Sequence, residues 1–267
     1  MTRQDLKSQA KDVFRRRFKA VLTASLIYAV LALAVNEFSS YAMGTSRVLE
    51  YITDMLNSIA KDLSAATRFD INEYYSDIFR LLNPVGIAIS IVVGLLLQIL
   101  FAGYKWFLLS SKRGDEPAPS SIFAVFSKTG KLAVLIILQN VFTYLWSLLF
   151  LVPGIFAALR YSQAVYILYD HPEYSALECI RESKRIMRGY EGSYFVLRLS
   201  FIGWYLLASL LMYTALLITG VGSYIGGYVI PIVTNLFLLP YVYLSTAGFY
   251  DDLLRNSHTQ NDDLYLK

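Results

Sequence analysis

The run from Leu132 to Tyr169 is apolar almost without a break for 38 residues, and its length limits what this chain can become. As a single helix it would extend about 57 Å at 1.5 Å per residue, close to twice the ~30 Å hydrocarbon core of a bilayer. It has to fold back on itself. Proline cannot continue a helical hydrogen-bond ladder and glycine tolerates a reversal, which makes Pro153-Gly154 the expected corner. Other runs also reach the ~20 residues that a span requires. A composition of 56% hydrophobic and 16% charged residues is too apolar for a water-soluble domain of this size. The expected fold class is therefore all-α: a polytopic membrane protein with six transmembrane helices and amphipathic surface helices. The spans fall at about 20–36, 84–110, 131–152, 154–170, 194–219 and 228–250, with an outer loop at 37–83, in a single integral membrane domain.

The net charge of +4 is small, and the placement of the cations carries the information, because Lys and Arg beside spans favour the cytoplasmic side. Residues 2–19 set Leu6, Ala10, Val13, Phe14 and Phe18 at helical spacing against Lys7, Lys11, Arg15, Arg16 and Arg17. Such a helix is expected to lie on an anionic membrane surface, followed by an uncleaved anchor rather than a signal peptide. In the outer loop four cations face seven anions, which suits the outer side. Two amphipathic helices are expected there, one through Val48, Ile52, Met55, Leu56, Ile59 and Leu63, the other through Tyr75, Ile78, Phe79 and Leu82, either packing or docking a partner.

Pro84 opens the second span, which ends with Lys105 and Trp106 in reach of the interface. A turn-rich connection follows, with a short apolar patch from Ile122 to Phe126 after a cap at Ser120 or Ser121. Lys128 and Lys131 precede the hairpin, and Arg181, Lys184, Arg185 and Arg188 follow it, placing both of its ends and both chain termini in the cytoplasm. Ser175-Ala176-Leu177-Glu178 fits a capping box opening a second basic surface helix, which Gly189 or Gly192 ends. Gly220-Val221-Gly222 weakly resembles a phosphate loop, but no strand precedes it. The tail DDLLRNSHTQNDDLYLK is polar and expected to fray.

The pattern Pro153-Gly154-Ile155, Tyr161-Ser162, Ala164, Tyr166-Ile167-Leu168, Asp170, Pro172, Ser175-Ala176, Met187 and Gly189 resembles the signature of the bacterial membrane proteins catalogued as domain of unknown function 975. Ser200-Phe201-Ile202-Gly203-Trp204 also looks like it, whereas Arg160 and Gln163 stand where smaller or apolar residues are more usual. More distantly, the chain is similar to the membrane domain of some glycerophosphodiester phosphodiesterases. The resemblance implies six helices in the bacterial plasma membrane and no established activity.

The chemical inventory is thin. His171 and His258 are the only histidines and Cys179 the only cysteine, so neither a metal centre nor a disulfide has the residues to form, and no cofactor or catalytic residue is expected. Polar groups inside the spans make Arg160, Gln163, Tyr144, Trp146, Asn140 and Asn235 the candidate ligand or cavity residues. The membrane-surface cations are Arg15, Arg16, Arg17, Arg181, Lys184, Arg185 and Arg188. With the corner between Pro153 and Gly154, Arg160 would lie opposite Ser147, with Tyr144 or Trp146 beside its guanidinium; the alternative is snorkelling to the outer headgroups. Pro231 should bend the sixth span and turn Asn235 inward. The expected role is a non-enzymatic helper or scaffold with membrane lipids, a membrane protein or a second copy as partner, and not nucleic acid. The alternatives are a transporter or channel using the polar groups inside the bundle, and a lipid-acting enzyme built on Asp170, His171 and Glu173.

Overall fold

The computed structural model describes residues 2–61, 70–219 and 225–265. Leu63 of the outer helix pattern, the possible phosphate loop at Gly220-Val221-Gly222 and the last two residues of the tail lie outside them. Among the described residues the secondary structure is helical with no strand, and six helical stretches are long and apolar enough to cross a membrane. Contacts group the chain into two compact units, Leu31–Leu97 and the remainder, Met1–Val30 with Gln98–Lys267. Each is described by itself.

The smaller unit holds the C-terminal part of α2 (Phe18–Met43), α3 (Thr45–Lys61), α4 (Ile71–Leu81) and the start of α5 (Pro84–Arg113). Two amphipathic helices stand where the hydrophobic spacing placed them. Gly44 turns the chain at φ +81°, a conformation that favours glycine, and Ser40 and Thr45 hydrogen-bond across the turn at 2.8 Å. Asn83 N–H donates to the Met43 carbonyl at 3.0 Å, and a Cβ on Gly86 would collide with the Ala42 backbone, so α2 and α5 touch backbone to backbone here. Tyr51 donates to Asp77 at 3.2 Å and joins α3 to α4.

In the larger unit the amphipathic α1 (Arg3–Arg16) opens with a capping box in which Thr2 and Asp5 serve each other's backbone N–H. Its apolar face, Leu6, Ala10 and Val13, is buried, and α1 packs on α12 (Ile230–Tyr265). The expectation of an apolar face turned to lipid is corrected: the protein itself covers that stripe. α2 starts at Phe18, directly after Arg17, two residues earlier than the sequence suggested.

The apolar patch after the second span is a 3-10 helix, Pro119–Lys128, whose N-cap is Ala118 rather than either serine. Ile122 and Val125 are buried against Gly103, where a Cβ would meet the Ile122 carbonyl at 2.1 Å. The long apolar run folds back as required, but its corner is Phe150, not Pro153-Gly154. Phe150 is extended at φ −162°, ψ 154°; its N–H closes α6 (Thr129–Leu149) on the Trp146 carbonyl, and its own carbonyl accepts from Gly154 to open α7 (Leu151–Tyr161). One residue serves both helix ends. Pro153 then sits in the first turn of α7, where its missing donor costs no bond, and Gly154 is needed for contact: a Cβ there would lie 2.8 Å from the Ser147 Cα.

The fourth span is interrupted at Ser162-Gln163 before α8 (Ala164–Asp170). The Ser183 hydroxyl on α9 (Ala176–Met187) fills the break, donating to the Arg160 carbonyl at 2.6 Å and accepting from Gln163 N–H at 3.2 Å. α9 begins with the expected capping box, with Ser175 N–H on Glu178 at 2.7 Å and Glu178 N–H on Ser175 at 3.4 Å, and Gly189 turns the chain after it at φ +84°. Its stripe of Cys179, Ile180, Ser183, Ile186 and Met187 is buried on α6, α7 and α8, so this helix too lies on protein rather than lipid. Next come α10 (Glu191–Leu199), α11 (Ile202–Thr219) and a π turn, Ile225–Val229, just ahead of Pro231. α12 remains helical through the tail to Tyr265 instead of fraying.

Candidate functional site

Burial separates two kinds of surface on these helices. Residues Ile99 to Ser111 of α5, Ala164 to Leu168 of α8 and Val242 to Tyr250 of α12 are almost all buried. Leu148, Leu149, Phe150, Leu151 and Val152 at the hairpin tip are 61–75% exposed, and Leu206, Leu210 and Leu217 of α11 are 60–85% exposed. An unpartnered apolar surface of this kind suits lipid, whereas the buried part is held by polar contacts. Trp106 donates to the Val165 carbonyl at 2.8 Å, and Tyr166, stacked on Tyr250 at 5.3 Å, shares a hydrogen bond with Thr246.

An ion cluster closes one end of the buried part. Arg113 grips Asp170 through both terminal nitrogens at 2.6 and 2.8 Å and reaches Asp251 at 3.0 and 3.1 Å. Lys112 adds a bond to Asp251 at 3.0 Å, and Tyr250 donates to Asp170 at 2.8 Å. Three helices distant in sequence are tied here with balanced charge. Asp170 is thereby taken away from the catalytic cluster considered for it: His171 bonds Glu173 at 3.0 Å and stacks on Tyr174. No group of three metal-ligating side chains occurs among the described residues.

A cavity of about 680 Å³ opens between the hairpin, α5, α10 and α12. Its lining brings the apolar Ile155 and Phe195 together with Ser147, Lys105, Arg198 and Tyr243. The Lys105 ammonium lies 4.9 Å from the Phe101 ring centroid and 5.5 Å from that of Tyr243, and the Arg198 guanidinium lies 5.5 Å from the same Tyr243 ring. At most twice that distance separates the two cations. Neither has a carboxylate within salt-bridge reach among the described residues, as is also true of Lys7 and Lys128, whereas Arg17 pairs with Glu116 at 3.1 Å and Lys112 and Arg113 pair as above. The two cations thus share the Tyr243 ring on the cavity wall, Lys105 half-buried and Arg198 exposed.

The residues nominated from the sequence divide. Asn140 and Tyr144 line the cavity, and Asn140 also donates to Gln98 at 3.1 Å. Gln163 is fully buried next to Ser162, with its amide on the Ser162 hydroxyl at 2.8 Å. Arg160 does not meet Tyr144 or Trp146: moving the corner three residues earlier shifts the hairpin register by six, Gly154 now faces Ser147, and Arg160 pairs with Glu191 at 2.8 Å. Trp146 instead flanks a groove of about 540 Å³ beside Arg181 and Lys184. Asn235 donates to the Pro231 carbonyl of its own helix at 3.0 Å, which satisfies the amide without an inward partner. Arg185 is held by Glu182 at 2.6 and 2.8 Å, while Arg188 is exposed. Arg15, Arg16 and Arg17 flank a surface pocket with Glu116. Burial pushes the Cys179 thiol up to about 11, and the backbone N–H of Ser175 holds the Glu178 carboxyl below the usual range.

Lys105 and Arg198 were the site residues that sequence reasoning missed. Each is a cation inside an otherwise apolar run, the same signal that singled out Arg160.

Residues 148–257 match the model of a family described as Protein of unknown function (DUF975), and this stretch includes the motif residues from Pro153 to Gly189. No curated protein and no solved structure matches the chain, so the distant similarity to the membrane domain of glycerophosphodiester phosphodiesterases gains no support from them.

Proposed function

We propose that this chain is a non-enzymatic lipid-binding helper of the bacterial plasma membrane, holding a lipid in the lateral cavity with both termini on the cytoplasmic side. The carrying observation is the mixed lining of that cavity, in which the apolar Ile155, Leu159 and Phe195 stand together with the cations Lys105 and Arg198. An amphiphile has that polarity, and an inorganic ion does not. The depth is also suitable. α9 packs on the hairpin while exposing Arg181, Lys184 and Arg188, and hydrocarbon offers such charges no counterpart, so the neighbouring part of the hairpin stands at headgroup level. A lipid entering between α7 and α10 would keep its chains on the apolar surface and its headgroup inside.

Native mass spectrometry of the detergent-extracted protein tests the reading. The wild-type chain should retain lipid, and Ala158→Trp, which fills the cavity from an accessible wall position, should lose it while keeping its unfolding temperature. Absence of lipid on the wild-type chain, or equal retention by Ala158→Trp, would defeat the proposal.

A further inference from the structure

We infer that the part of the cavity lined by Lys105, Arg198 and Tyr243 is a phosphate site, in which the two cations together hold the anionic phosphodiester of a glycerophospholipid; this rests on the lipid reading above. Three features point to phosphate. First, the two cations differ in kind. Arg198 offers a planar fork that can donate two parallel bonds to one oxyanion, and Lys105 offers a compact charge from the other side, a division of labour suited to a tetrahedral group with several oxygens. Second, both are kept in place without a carboxylate. The Tyr243 ring centroid lies 5.5 Å from each of them and that of Phe101 4.9 Å from Lys105, and Arg198 also hydrogen-bonds Tyr243, which spends one guanidinium donor and leaves the others for a ligand. Third, the cavity wall carries neutral polar groups and no acidic residue: Gln139, Asn140 and Thr143 can serve the ester and glycerol oxygens, and nothing there repels an anion. Gln139 already spends its amide on the Tyr161 carbonyl at 2.6 Å, which leaves its own carbonyl oxygen as an acceptor for a headgroup hydroxyl.

This arrangement makes the site selective by net charge. A phosphatidylglycerol headgroup brings one unneutralised negative charge, whereas the choline of phosphatidylcholine carries a positive charge toward Lys105 and Arg198. The test uses the full-length purified chain with three probes in parallel: dioleoylphosphatidylglycerol, dioleoylphosphatidylcholine and inorganic phosphate. Binding is read by native mass spectrometry and by the shift in unfolding temperature. The wild-type chain should prefer phosphatidylglycerol over phosphatidylcholine by about tenfold or more, as expected for two charge-assisted contacts. Lys105→Met with Arg198→Gln should bring the two lipids level, Arg198→Lys should keep part of the preference, and Arg181→Gln, an exposed cation outside the cavity, should keep all of it. Equal binding of both lipids by the wild-type chain, or an undiminished preference in the double variant, would overturn the phosphate site and leave the lipid reading intact. Failure to bind either lipid would overturn both. Saturation by inorganic phosphate at the concentration that suffices for phosphatidylglycerol would assign the site to the free anion instead of a lipid. Should the double variant fail to fold, the Arg198→Lys and Arg181→Gln chains still decide, because the inference requires the first to lose preference and the second to retain it.

Discussion

Replacing Arg113 should be the most damaging single change in the ion cluster, and the structure supplies its size. Arg113 makes four hydrogen bonds to two carboxylates whose side chains are only 18% and 12% exposed. Arg113→Met removes all four. Asp251 keeps Lys112 at 3.0 Å, and Asp170 keeps the Tyr250 hydroxyl at 2.8 Å. Removing one partner of a buried ion pair costs about 3–5 kcal/mol. Because Arg113 itself is 31% exposed and each carboxylate retains one donor, the lower figure of about 3 kcal/mol applies. For a chain of this size that corresponds to a fall of roughly 6–12 °C in unfolding temperature, followed by tryptophan fluorescence in detergent. Arg113→Lys can satisfy one carboxylate but not both and should recover about half. The decisive measurement is a double-mutant cycle: in an Asp170→Asn background, where the stranded charge is gone, Arg113→Met should cost about 2 kcal/mol less than in the wild-type chain. Additive losses, or a loss below about 1 kcal/mol for Arg113→Met alone, would show that the cluster is a solvated surface feature and not a tie between helices.

The other predictions concern the hairpin, the α9 helix and orientation. Arg160→Gln should cost about 1–2 kcal/mol, because it strands Glu191, which is 10% exposed, and lipid retention should be unchanged since Arg160 lies outside the cavity; thermal unfolding and native mass spectrometry check the two halves. Gly154→Ala should cost about 1–3 kcal/mol by forcing α6 and α7 apart at Ser147, with partial recovery in a chain that also carries Ser147→Gly. Cys179 should resist maleimide in the folded protein and react fully after denaturation, since the thiol is buried and its pKa is pushed up to about 11. With that silent background, a cysteine at exposed Ser58 should be labelled by an impermeant reagent on intact cells and one at exposed Glu116 should not; the reverse pattern would invert the proposed orientation.

Hydropathy and length made the helical class, the six apolar runs and the fold-back of the long one legible, because each follows from a quantity that a single segment carries. What they could not supply was the identity of the medium around each stretch. Lipid tails and a packed protein interior impose the same demand on a side chain, so the apolar residues Leu108 and Leu109, fully buried in protein, look no different in the sequence from Val92, which is 59% exposed on the same helix. The same degeneracy explains why the stripes of α1 and α9 were assigned to the membrane surface when their neighbours are other helices. It also bears on the charges. Lys105 lies within reach of the end of its run and Arg198 near the start of its own, yet both meet the Tyr243 ring of the last helix. A cation in hydrocarbon must find an internal partner or leave; a cation in a protein-lined cavity can wait for a ligand, provided aromatic faces hold it in the meantime. Arg160 found Glu191 and Arg113 found Asp170 and Asp251, whereas Lys105 and Arg198, which share one ring and one cavity, have no carboxylate in salt-bridge reach among the described residues. The pairing of Arg160 with Glu191, in place of a contact with Tyr144 or Trp146, goes with a hairpin register that turns at one residue, Phe150.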